Sequence, residues 1–273
     1  MAHWLKWTVR AGLALGLLAA GAAAGIIGLG AWRLQQADIV LPMALADTPP
    51  DLAEGARLTK VYGCSGCHGA TLAGKDFYGV PAPNLTAIAR RHSVEDFARL
   101  VRRGQRADGT SLTWAMPSEF FAVMADDQIR SIHAYLSSLK PQPDGADAGW
   151  LPMKPWAVSM GYLQISAFIV RPEPAPSRAP IVGDPAWPAY FTRLACAECH
   201  SYDLGGVPGG TPALADVIQR YDAAHFQRFL RTGVAAEGHE VRMMSGVARG
   251  RLKNMTDAEV AALFAWLKAL PPP

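Results

Sequence analysis

The sequence has few cysteines, no long run of charges of one sign and no stretch with the alternating pattern of a β-strand. Its 26 Lys and Arg residues are interspersed with 23 Asp and Glu residues, and no motif of a nucleic-acid-binding fold accompanies them. Such a mixed distribution of charge excludes nucleic acid as a partner. The chain of 273 residues, half of them hydrophobic, is long enough for two small domains, each with its own core.

The amino-terminal segment contains 22 consecutive uncharged residues between Arg10 and Arg33. This run is about long enough to cross a bilayer core of roughly 30 Å as a helix. A cleaved signal peptide, cut at the Ala-Leu-Ala triplet at 44–46, is the alternative. We favour a membrane anchor because the run exceeds a usual signal core and the triplet lies far downstream. Lys6 and Arg10 then place its start in the cytoplasm, and the rest of the chain in the periplasm of a bacterial inner membrane.

The chain also contains an internal repeat. The pattern Cys-x-x-Cys-His begins at residues 64 and 196, and an acidic helix start followed by Ala-aromatic-Leu recurs at 126–136 and 257–267. The two offsets, 132 and 131, agree closely. We therefore predict one domain at 51–140 and its copy at 184–273, after an anchor at 1–36 and a linker at 37–50.

Both copies are predicted to be helical, which gives an all-α fold class. Apolar residues recur at intervals of three and four in the last helix of each copy. These residues are Ile129, Ile132, Leu136 and Leu139 in the first copy, and Val260, Leu263, Phe264 and Leu267 in the second. The segment 141–183 between the copies is rich in proline and tryptophan, and its apolar run at 158–170 is too short to span a membrane. We expect it to pack against the two domains.

All four cysteines belong to the two Cys-x-x-Cys-His motifs, the attachment signature of c-type haem. The thiols of Cys64 and Cys67, and of Cys196 and Cys199, would form thioethers to haem. The histidine that follows each pair, at 68 and 200, would bind the iron. A redox dithiol or a zinc site uses similar cysteine pairs. Neither fits well, because no strand-helix-strand pattern is present and the two pairs lie in distant repeats.

The second axial ligand of the first repeat is predicted to be Met116, which precedes Pro117 and lies ten residues before the closing helix. A methionine sulfur raises the iron potential and fills the sixth position, as an electron carrier requires. Met124, at the end of the same loop, is the weaker candidate.

The second repeat offers two adjacent methionines, Met243 and Met244. We prefer Met244, since it is 11 residues after Gly233 and Met116 is 12 after the equivalent Gly104. If neither binds, the iron is five-coordinate or takes a further histidine of that repeat, at 225 or 239.

With these motifs the sequence resembles the class I cytochromes c, and among them the membrane-anchored, two-domain cytochromes that serve respiratory complexes and periplasmic dehydrogenases. The likeness covers residues 51 to about 271. In the first domain it rests on Cys64-Ser65-Gly66-Cys67-His68-Gly69, Ala82-Pro83-Asn84-Leu85-Thr86, Arg103-Gly104, Asp108-Gly109, Met116-Pro117 and Ala134-Tyr135-Leu136.

The resemblance implies a transmembrane helix followed by two tandem cytochrome c domains with two covalently attached haem c groups. It also implies that the carbonyls of Pro83 and Pro212 accept the Nδ1 proton of the haem histidine and fix its ring. The second domain departs from the family pattern, with Ser201 after His200 and no Met-Pro pair. Four haem propionates would change the formal charge of +3 to about −1. The positive net charge of the polypeptide is therefore no evidence for an acidic partner.

The leading functional hypothesis is electron relay between donor and acceptor proteins at a membrane, within a respiratory or dehydrogenase complex and without catalytic activity of its own. The spacing of Gly12, Gly16, Gly21 and Gly25 would allow another helix to approach the anchor. A dihaem enzyme of the peroxidase or thiosulfate-oxidising kind is the alternative, and it requires an open or unusual second haem. Docking of other subunits without use of the haems is a third reading.

Overall fold

The computed structural model describes residues 2–77, 80–113, 115–145, 170–171 and 173–271. It is mostly helical, which confirms the predicted fold class. Helix α1 spans Ala2–Gln35, and the window Lys6–Gln35 within it is apolar and long enough to cross a membrane. The central part of the predicted interdomain segment, 146–169, lies outside the described residues, so its packing stays a prediction.

The first helical domain follows a segment that packs along it. Its elements are α2 (Leu52–Val61), α3 (Cys64–Cys67), a hairpin of β1 (Lys75–Phe77) and β2 (Val80–Ala82), α4 (Leu85–Arg91), α5 (Val94–Arg103), α6 (Ser118–Phe121) and α7 (Asp126–Ser138). At the starts of α2, α4 and α5, hydrogen bonds from backbone N–H groups of the first turn are accepted by the side chains of Asp51, Asn84 and Ser93. The hairpin was not expected from the sequence, because three-residue strands are too short to give an alternating pattern.

Helices α2 and α7 cross in direct backbone contact at Gly55. A Cβ atom at this position would lie 2.1 Å from the carbonyl oxygen of Ser131. Glycine is therefore required at the crossing.

The second domain repeats this order of helices without the hairpin. Its elements are α8 (Trp187–Ala195), α9 (Ala197–His200), α10 (Leu214–Ile218), α11 (Ala223–Thr232), α12 (Arg242–Gly250), a 3₁₀ turn (Leu252–Asn254) and α13 (Asp257–Lys268). Trp187 takes the place of Gly55, nine residues before the first cysteine, and it stacks on Phe191 at 5.1 Å between ring centroids. A tryptophan cannot permit the backbone contact that a glycine allows, so the glycine crossing is not repeated.

The two domains are joined by polar contacts between α7 and α8 and by an ion pair. The hydroxyl of Tyr190 donates to Gln128 Oε1 at 2.6 Å and accepts the backbone N–H of Ala125 at 2.8 Å. Arg57 of α2 binds the carboxylate of Glu259 in α13 at 2.8 Å. The second domain therefore packs against α2 and α7 of the first.

Candidate haem sites

The first site is built on the short helix α3 and the residue that ends it. Gly63 starts α3 with φ +80, a left-handed conformation that favours glycine. The backbone N–H of His68 donates to the carbonyl of Cys64 at 2.9 Å, so the two cysteines and the histidine share one helical turn. This turn presents the three side chains of the motif to one cavity.

His68 is held in one orientation by the loop that contains Pro83. Its Nδ1 lies 2.7 Å from the Pro83 carbonyl oxygen, which leaves Nε2 free for a metal. Burial lowers the pKa of His68, and the contact with the Pro83 carbonyl opposes this shift. The neutral imidazole, which is the form that binds metal, is thereby favoured.

The cavity beside the motif has a volume of about 330 Å³ and a mostly apolar lining. His68 and Met116 both line it, together with Val80, Ile88, Phe97, Leu100 and Leu136. Met124 is only 2% exposed in the core, and its backbone carbonyl accepts the Nε–H of Arg102 at 2.8 Å. An apolar cleft with a histidine nitrogen and a methionine sulfur fits a low-spin haem, with Met116 as the better placed of the two methionines.

The second site has the same arrangement around Cys196, Cys199 and His200. Nδ1 of His200 lies 2.9 Å from the carbonyl oxygen of Pro212, and His200 is buried. Ser201 replaces the glycine of the first motif and adopts φ 66 and ψ 166, a conformation that glycine adopts far more readily.

Its two candidate methionines lie next to each other on α12, and they differ in exposure. The side chain of Met243 is 73% exposed, whereas Met244 is partly buried against the hydrophobic core. His239 is exposed, and His225 is bound to Asp222 at 2.8 Å. Of these four side chains, Met244 is the one that packs partly buried against the core, so the preference for Met244 as a ligand stays a prediction.

The pKa values of the cysteine thiols differ from those typical of a redox dithiol. Burial raises the pKa of Cys64 to about 11 and that of Cys196 to about 12, whereas a redox dithiol depends on a lowered thiol pKa. Within the part of the chain that the structure describes, no group of three or more His, Cys, Asp or Glu residues is placed to hold a metal ion.

Comparison with known proteins agrees with this geometry. The family model described as Cytochrome c matches the chain twice, at residues 52–140 and 189–271. The chain belongs to the cytochrome c family. Domains of this family hold haem c covalently, as the two motifs predict.

Three relatives of this cytochrome are subunits of dehydrogenases. The fructose dehydrogenase cytochrome subunit of Gluconobacter japonicus is 25% identical over 81% of this chain and 53% of its own length. The alcohol dehydrogenase (quinone) cytochrome c subunit of Gluconacetobacter polyoxogenes is 26% identical, over 84% and 58%. The gluconate 2-dehydrogenase cytochrome c subunit of Pantoea cypripedii is 24% identical, over 83% and 62%. The cytochrome thus spans little more than half the length of these relatives.

Two charged residues near both motifs were not predicted as site residues from the sequence. Glu198 lies inside the second motif, where the sequence itself shows a charge next to the haem-attachment cysteines. Arg251 lies 52 residues after Cys199, and only the packing of the two domains brings it to the first motif. Both line the cavity beside Cys64.

Proposed function

We propose that this cytochrome holds two haem c groups and relays single electrons as a subunit of a membrane-bound dehydrogenase complex. The supporting observation is that both Cys-x-x-Cys-His motifs place a buried histidine with Nδ1 on a proline carbonyl, at 2.7 and 2.9 Å. A haem bound at each motif would supply a one-electron iron couple. The same fixed ligand geometry in both domains is what a carrier requires, since it limits rearrangement during electron transfer.

Each residue of the sites has a separate role in this proposal. The sulfurs of the four cysteines attach the two haems, and His68 and His200 supply the fifth ligands. The carbonyls of Pro83 and Pro212 fix the imidazole rings and direct Nε2 to the iron. Met116 supplies the sixth ligand in the first domain, and Met244 does so in the second, with Met243 as the alternative.

The proposed partners follow from the relatives and from α1. The names of the relatives indicate a dehydrogenase as electron donor, and a membrane-bound or periplasmic redox protein would accept the electrons. Along the central part of α1, side chains such as those of Leu13 and Leu17 are exposed, as expected for a helix that faces lipid. Lys6 and Arg10 at its start favour a cytoplasmic amino terminus, with both haem domains in the periplasm.

The test is a spectroscopic and potentiometric study of the purified holoprotein in detergent. We expect two haems per chain by mass and haem assay, two reversible one-electron couples, and the near-infrared band of methionine-ligated ferric haem. Met116→Ala should remove this band from one haem, and Met244→Ala from the other. Met243→Ala is the matched control and should leave both bands unchanged.

Other outcomes would revise the proposal in defined ways. A high-spin second haem that reacts with peroxide in the wild type would favour the enzymatic alternative over the relay. If Met243→Ala removes the second band and Met244→Ala does not, Met243 is the ligand in place of Met244. The proposed electron relay would still hold. If amino-terminal sequencing shows that the mature protein lacks residues 1–46, this segment is a cleaved signal peptide and not an anchor.

A further inference from the structure

One ion pair connects the two haem-attachment motifs. Nη1 of Arg251 donates to Oε2 of Glu198 at 3.2 Å. Glu198 lies between Cys196 and Cys199, so the acidic partner belongs to the second motif itself. Arg251 follows α12 directly and precedes the 3₁₀ turn.

The guanidinium group of Arg251 also lies against the first motif. A Cβ atom on Gly63, the residue before Cys64, would be 2.2 Å from Nε and 2.3 Å from Cζ. A Cβ atom on Gly66, between the two cysteines, would be 3.9 Å from Nε. The absence of side chains at these two positions lets a charge from the second domain approach the backbone of the first motif.

Both charges are partly shielded from water, with side-chain exposures of 20% for Arg251 and 35% for Glu198. Partial burial preserves their electrostatic effect on nearby groups. Glu198 lies within the second motif, and the guanidinium of Arg251 lies against Gly63 at the start of the first. The field of this pair therefore extends over both motifs.

We propose that Arg251 is a positioning residue shared by the two haem sites: it joins the two motif helices and raises the reduction potentials of both haems. This inference depends on the proposed function, since it assumes a haem at each motif. A fixed positive charge favours the reduced iron, which has one positive charge fewer than the oxidised iron. Glu198 acts in the opposite direction.

The test is redox potentiometry of the detergent-solubilised holoprotein with Arg251→Gln, Arg251→Lys and Glu198→Gln. We expect Arg251→Gln to shift both midpoint potentials negative, because it removes the cation and leaves Glu198 unpaired. Arg251→Lys, which keeps the charge, should leave both near the wild-type values. Glu198→Gln should shift both potentials positive.

Arg249→Gln is the matched control. Arg249 lies two residues earlier, is 44% exposed and binds Glu240. Its replacement removes the same charge outside the contact between the motifs, so both potentials should stay at their wild-type values.

A purely structural role would give a different pattern. If Arg251→Gln moves only the potential of the second haem, or if Arg251→Lys and Arg249→Gln shift the potentials as much as Arg251→Gln does, the inference is wrong. If the wild type itself lacks two reversible couples, the proposed function fails before any variant is compared. If the wild type shows two reversible couples and Arg251→Gln leaves both potentials unchanged, only the role of Arg251 is wrong and the proposed function stands.

Discussion

Nη2 of Arg102 lies 2.7 Å from Oδ1 of Asp126, and both side chains are less than 10% exposed. The contact links the end of α5 to the start of α7. The second carboxylate oxygen of Asp126 accepts the backbone N–H of Ala46, so this pair also holds the segment that follows α1. The second domain repeats the pair with Arg231 and Asp257 at 2.6 Å, but there the carboxylate is 78% exposed.

Asp126→Ala should therefore destabilise the protein by about 3 to 5 kcal/mol, because the buried guanidinium of Arg102 loses its carboxylate and keeps only the neutral carbonyl of Met124. Asp257→Ala, at the equivalent position, should cause a much smaller loss, since water replaces the exposed carboxylate. Urea denaturation followed by circular dichroism measures both. Equal losses in the two variants would contradict the assigned difference in burial.

The helix crossing at Gly55 provides a second prediction. Gly55→Ala should cost about 1 to 3 kcal/mol, because a Cβ 2.1 Å from the Ser131 carbonyl forces α2 and α7 apart. Gly246→Ala in α12 is the control, since no atom lies within 4 Å of its added Cβ. There alanine should stabilise the helix by up to about 1 kcal/mol. Thermal unfolding of both variants measures the two changes in stability. If Gly55→Ala is as stable as the wild type, the crossing tolerates a methyl group.

Two buried tyrosines near the domain interface predict sensitivity to high pH. Burial raises the pKa of Tyr62 and of Tyr190 above the ordinary value of about 10, and both hydroxyls contact Gln128. The folded state therefore retains protons that the unfolded state releases, so this contribution to stability is complete below pH 10 and is lost as the pH rises further.

Denaturation at several pH values on both sides of pH 10 tests this expectation. Tyr62→Phe should make the decline in stability above pH 10 shallower, because one of the two shifted groups is removed. An unchanged slope in this variant would show that other groups cause the alkaline loss.

The sequence was sufficient to predict the haem motifs, the repeat and the helical class, because these depend on local spacing. Contacts between distant segments could not be predicted. No periodic pattern marks Gly55 as a helix crossing, and none brings Arg251 of the second domain to Gly63 of the first. The choice between Met243 and Met244 was also weak in sequence, because adjacent residues on a helix differ by orientation and not by composition.

Ser201 gives the last prediction, because it occupies a backbone conformation that suits glycine. Ser201→Gly should relieve about 1 to 3 kcal/mol of strain at φ 66 and ψ 166. It loses the hydrogen bond from Ser201 Oγ to the Gly206 carbonyl, whose net contribution is about 1 kcal/mol. The variant should therefore be more stable, with His200 still held by the carbonyl of Pro212. Denaturation followed at the haem absorbance measures the change, and a less stable variant would mean that the hydroxyl contact outweighs the strain.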